Sequence, residues 1–64
     1  MTPNQYRATL HKLGLSQREA GRILQVGERT SRRWASEGGI PETAAKLLRL
    51  AVAGKITVDD IEGA

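Results

Sequence analysis

A chain of 64 residues has room for one small domain, and a domain of this size buries only about 60% of the surface that its unfolded chain exposes. There is no cysteine, which removes disulfides, thiolate zinc sites and cysteine nucleophiles, and no apolar run approaches the ~20 residues that span a bilayer. The net charge of +3 is unevenly placed: seven Lys/Arg stand against three Asp/Glu up to Ile40, and three against four from Pro41 onward, so a polyanion would meet the first part of the chain.

Thr2-Pro3 predicts a helix start, with Thr2 as cap, Pro3 preset at the first helical position and Gln5 able to complete a capping box. Tyr6, Leu10 and Leu13 recur at i, i+4 and i+7, so this helix should run to Lys12 or Leu13 and end at Gly14. Ser16-x-x-Glu19 is a second capping box. It opens a helix from about Gln17 to Leu24 with Ala20, Ile23 and Leu24 inward, and with Gly21 where a crossing helix approaches closely. Gln25-Val26-Gly27 is a tight break in which Val26 can drop between the helices as an apolar plug.

A third helix is expected from about Glu28 to Ser36. Its period places Thr30, Ser31 and Trp34 on one face and leaves Glu28, Arg29, Arg32 and Arg33 to point away from it. Two helices joined by a tight break, the second with arginines outward, form the layout of a helix-turn-helix over about residues 16–36. After the exit at Gly38-Gly39, Pro41 opens a fourth helix to about Ala53, with Ala44, Ala45, Leu47, Leu48, Ala51 and Val52 as a broad apolar face and Gly54 closing it. Lys55 to Glu62 predict a short fifth helix, capped by Thr57 and with Asp59 and Asp60 near its positive end. No segment alternates as a strand should, so the expected fold is one compact all-α unit of four to five helices.

Leu15, Ser16, Gln17, Ala20, Leu24, Val26, Thr30, Arg33 and Trp34, with the Gly-x-Pro exit at Gly39-Ile40-Pro41, resemble the Cro/C1 (Xre-like) helix-turn-helix family of bacterial and phage repressors. The likeness is close over a third of the chain and extends to most of it in helix layout. It implies a lambda-repressor-like DNA-binding domain that regulates transcription, as a homodimeric repressor on an inverted-repeat operator. Two positions depart from the family pattern, which usually has Gly at Gln25 and Ile or Val at Ser31. Gln25 must then adopt a left-handed turn at a cost on the order of 1 kcal/mol. Ser31 should thin the apolar seam and leave more of the packing to Trp34.

Residues nearest the start of a recognition helix reach deepest into the groove. On that ground Gly27, Glu28 and Arg29 are expected at or beside base edges, Arg32 one turn later also at bases, and Arg33 on phosphate. A guanidinium suits these places because it can donate two parallel hydrogen bonds to guanine O6 and N7, or to a phosphate. Glu28 can accept from cytosine N4 or restrain Arg32 as an i, i+4 ion pair, and the sequence leaves both open. The family's glutamine at the start of the first motif helix binds phosphate, which the resemblance carries over to Gln17; Arg18 would add a second phosphate contact.

Trp34 lies on the inward face and reads as core rather than as a base-stacking platform. His11 is the only histidine and has no second ligand at metal spacing, and Ser16, Ser31 and Ser36 have no base in a recognisable arrangement. Asp59, Asp60 and Glu62 lack the spacing of a calcium loop. No metal, cofactor, small-molecule effector or enzymatic activity is therefore expected. Leu47, Leu48, Leu50 and Ala51, followed by Ile56, Val58 and Ile61, offer more apolar surface than one face of a short helix needs. Some of the region over about residues 41–62 is expected to form a two-fold interface. The first residues lack a signal-peptide pattern, so the expected place is the cytoplasm, at the nucleoid when bound to double-stranded DNA.

Two other readings stay open. Residues 26–41 also resemble the opening of excisionase and MerR-like winged helices, which need a β-wing after the proline. An antitoxin-like protein-interaction module would instead use the apolar face of the fourth helix.

Overall fold

The computed structural model describes residues 1–63. Five helices follow one another: α1 (Pro3–Leu13), α2 (Gln17–Ile23), α3 (Glu28–Ser36), α4 (Glu42–Val52) and α5 (Val58–Gly63). There is no strand among the described residues, and the chain is all-α. Helix starts follow from local chemistry. Thr2 Oγ1 accepts from the Gln5 amide at 3.1 Å while Gln5 Oε1 accepts from the Thr2 amide at 2.9 Å. Ser16 and Glu19 exchange the same pair of bonds at 3.0 and 3.1 Å. The amide and hydroxyl of Ser16 hold the Glu19 carboxyl below its ordinary value. The device recurs at Thr57 and Asp60, at 3.1 and 2.8 Å, so the acid at the start of α5 is a capping group. Gly14, at φ 70°, turns the chain out of α1 in the left-handed conformation.

The helices converge on Tyr6, Leu10, Ala20, Trp34, Ala35, Ala44 and Leu48. The Tyr6 and Trp34 rings meet edge to face, with centroids 5.9 Å apart and planes at 89°. Tyr6 and Ser31 are both 0% exposed, and their hydroxyls lie 2.6 Å apart. Ser31 is therefore no thin place in the seam. Each hydroxyl is the other's partner, and an apolar side chain at either position would leave one buried hydroxyl unpaired.

Burial pushes the Tyr6 phenol above its ordinary value, and the hydrogen bond to Ser31 opposes that in part. The folded state thus favours neutral Tyr6 more than the unfolded state does. Its contribution is complete below about pH 10 and is lost as pH rises through the higher folded value. Urea unfolding between pH 8 and 11 is expected to show a fall in stability at the alkaline end, and the part due to this phenol should vanish in Tyr6→Phe. An unchanged slope in that variant would show that Tyr6 ionises alike in both states.

α3 packs on α1 and α2, α1 also packs on α4, and α5 folds back onto α2. Around that last contact Ile23, Ala51 and Ile61 form a second cluster, with Leu47, Ile56 and Val58 against it. This corrects the expected interface. Leu48, Ala51 and Ile61 are only 1%, 9% and 6% exposed, because α1 packs on α4 and Ile23 of α2 joins Ala51 and Ile61 in the second cluster, so they are not available to a second copy. Leu47, Leu50, Ile56 and Val58 stay half-buried. Val52, expected inward, is instead 41% exposed.

Candidate nucleic-acid interface

The break between α2 and α3 is built from peptide groups. The Gly21 carbonyl accepts from the amides of both Val26 and Gly27, at 2.9 and 3.1 Å, and the Gly27 carbonyl then accepts from the Ser31 amide at 3.2 Å. Gln25 takes the left-handed conformation, at φ 60°. Val26 is half-buried against the main core. The close approach at Gly21 comes from the turn itself: a Cβ on this residue would lie 2.3 Å from the Gly27 carbonyl oxygen and 3.0 Å from the Glu28 nitrogen. The start of α3 is thereby set directly against the middle of α2.

With Ser31, Trp34 and Ala35 buried, the period of α3 turns Arg29, Arg32 and Arg33 outward, and all three are exposed. The far end of α3 is fixed by Arg7, which donates to the Ala35 carbonyl and to Asn4 Oδ1, while Ser36 Oγ donates to the Arg32 carbonyl at 3.1 Å. Gly27 provides no side chain to cap the near end, so the first amides of α3 lack a side-chain acceptor at the positive end of the helix dipole.

Beside that end, Arg18, Glu19, Arg22, Gly27 and Glu28 surround an open cavity of about 350 Å³. Glu28 Oε2 lies 2.6 Å from Arg32 Nη2 and 2.7 Å from Arg32 Nε, and its Oε1 lies 3.9 Å from Arg18 Nε. Arg22 pairs with Glu62 of α5 at 2.8 Å. Arg18, Glu28 and Arg32 are thus brought together, whereas Arg29 and Arg33 carry no ion pair among the described residues. Gln17, half-buried, lines a separate concavity of about 250 Å³ with Leu10, His11 and Ser16.

Three features here have no clear signal in the sequence. The Arg7 bond to Ala35 and the Arg22 pair with Glu62 join residues 28 and 40 apart in the chain. The contact between Arg18 and Glu28 depends on how two helices meet across the turn. The pair of Glu28 with Arg32 follows i, i+4 spacing and is one of the two roles that the sequence left open.

Among the described residues no group of three or more His, Cys, Asp or Glu is placed to hold a metal ion, and no helix is long and apolar enough to cross a membrane. Comparison with family models, with curated proteins and with solved structures gave no match for this chain.

Proposed function

We propose that the protein is a sequence-specific double-stranded DNA-binding regulator of transcription, a repressor of the Cro/C1 type that its helix-turn-helix segment resembles. The observation that carries this reading is the exposed Arg29 and Arg33, without an ion pair among the described residues, on a short helix whose opposite face is locked into the core by Trp34 and Ser31. A rigid helix with outward guanidinium groups suits both phosphate and guanine edges. Gly27, Arg29 and Arg32 are assigned to base edges, with Arg33, Arg18 and Gln17 on phosphate. The positive end of α3 also favours a nearby phosphate. A winged excisionase or MerR-like fold fits less well, because Glu42–Val52 is helix where those folds need strands. We place the protein in the cytoplasm, at the nucleoid when bound.

The longest dimension of the chain is 27 Å, while successive major grooves on one side of DNA are about 34 Å apart, so reading two of them requires two copies. We assign the two-fold contact to the surface that α4 and α5 leave uncovered, with Leu47, Leu50, Val52, Ile56 and Val58. Sites selected from random duplex DNA should then be inverted repeats with half-site centres about 10 base pairs apart. Sedimentation with such a duplex should give two chains per site. A single asymmetric site bound one to one would refute the dimer.

The logarithm of the affinity should fall linearly with the logarithm of the salt concentration, at a slope of about −0.9 per phosphate neutralised. Arg29→Ala should lose roughly 1 to 3 kcal/mol on the selected site and relax base choice at one position per half-site. Arg33→Ala and Gln17→Ala should weaken selected and unrelated DNA alike. No binding to duplex DNA at low salt would reject the reading and favour the antitoxin-like module, which Leu47→Asp would then disable.

A further inference from the structure

A guanidinium has two edges from which it can donate a pair of parallel hydrogen bonds: the side edge of Nε with Nη2, and the end edge of Nη1 with Nη2. Glu28 Oε2 lies within 2.7 Å of Arg32 Nε and 2.6 Å of Nη2, so the carboxylate occupies the side edge. The end edge is left free. Its two donors match the paired acceptors O6 and N7 that guanine presents in the major groove. The other carboxylate oxygen, Oε1, is turned to Arg18 on α2 at 3.9 Å, so both oxygens of Glu28 face cations. A cytosine amino group would have to compete with two guanidinium groups for that carboxylate.

We infer that Glu28 is a positioning residue that reads no base: it holds Arg32 with its end edge outward, and Arg32 thereby selects guanine. This rests on the DNA-binding reading above. Arg32 is exposed and long, so without the clamp its rotamers would have to be ordered at the moment of binding, to guanine and to any phosphate nearby alike. With the clamp, one orientation exists beforehand and favours the base that fits it. The acid has an opposite effect on unspecific binding, since a carboxylate near DNA repels phosphate.

The consequence is a pair of changes with opposite signs, which a merely structural role would not produce. In fluorescence titrations with the selected duplex, with a duplex altered at the guanine, and with unrelated duplex, Glu28→Ala should bind unrelated DNA more tightly. Its preference for guanine at the Arg32 position should fall about fivefold or more. Glu28→Gln, which keeps an acceptor for Nε without the charge, should fall between the two. In an Arg32→Ala background, Glu28→Ala should no longer alter that position. Free protein gives a second readout, because the Arg32 Nε–H should exchange with solvent faster in Glu28→Ala than in the parent. Unchanged guanine preference in Glu28→Ala would overturn the inference, as would loss of preference at a cytosine that Arg32→Ala leaves intact. If the parent chain ignores duplex DNA, the DNA-binding reading falls and takes this inference with it. The exchange rates would still report separately whether the clamp exists.

Discussion

Trp34→Ala is expected to leave the chain largely unfolded, or to retain only a weak and broad thermal transition. A domain of this length has roughly 3 to 10 kcal/mol of stability in all, and truncating a buried tryptophan typically costs about 3 to 5 kcal/mol. Trp34 is 4% exposed at the centre of the main core, and the loss would include its edge-to-face contact with Tyr6. Three of the other six buried residues of that cluster, Ala20, Ala35 and Ala44, are too small to fill the gap. Circular dichroism on heating should show the effect directly, and Trp34→Phe should recover a cooperative transition. A variant that melts within a few degrees of the parent would show that Trp34 is not the keystone of this core, and a base-stacking role would then have to be considered again.

Gly21→Ala should be nearly as damaging, although it adds only a methyl group. That methyl would sit 2.3 Å from the Gly27 carbonyl oxygen, a backbone atom already engaged by the Ser31 amide. A flexible side chain could move aside; a carbonyl at the start of α3 cannot do so without shifting the helix. Overpacking costs about 1 to 3 kcal/mol where side chains can adjust, and about 3 kcal/mol is expected here. At about 4 to 8 °C per kcal/mol, the melting temperature should fall by roughly 12 to 24 °C. On the proposed DNA-binding reading, any folded fraction should also bind DNA poorly, because the angle between α2 and α3 would have changed. Normal stability and normal affinity together would mean that the turn is more compliant than its geometry indicates. The exposed Gly39, where an added Cβ meets nothing within 4 Å, is unsuitable as a control because its φ of 78° strains any side chain. Ala53→Ser, at an exposed position after α4, serves better.

Short-range chemistry made the helices legible. Thr2 with Gln5, Ser16 with Glu19 and Thr57 with the acids that follow it mark three helix starts, and Gly14 marks an end, because capping depends on neighbours three or four residues away. The left-handed Gln25 followed instead from the family resemblance, whose pattern usually has Gly at that place. The faces of α3 followed from its period. What the sequence concealed depends on distant partners. Ser31 looked like a weak place because its companion, the Tyr6 hydroxyl, comes from a helix 25 residues earlier. Leu48, Ala51 and Ile61 looked like surplus apolar surface because a helical pattern cannot tell whether the next helix will fold back over it. Within the candidate site, the outward arginines were legible and the arrangement around Glu28 was only half so. One of its partners lies on the same helix, but the other reaches it across the turn.

The link through the Gly21 carbonyl has a consequence for how such a protein can diverge. Because the peptide link through Gly21 and the inward side chains of α3 together set its angle, the outward positions 29, 32 and 33 contribute no buried side chain to the fold. On the proposed DNA-binding reading, the chain would behave as a frame with an exchangeable set of readers. Descendants of this sequence could acquire new DNA preferences through changes at those three positions without loss of structure, while Gly21 and the buried pair of Tyr6 and Ser31 would have to be inherited unaltered.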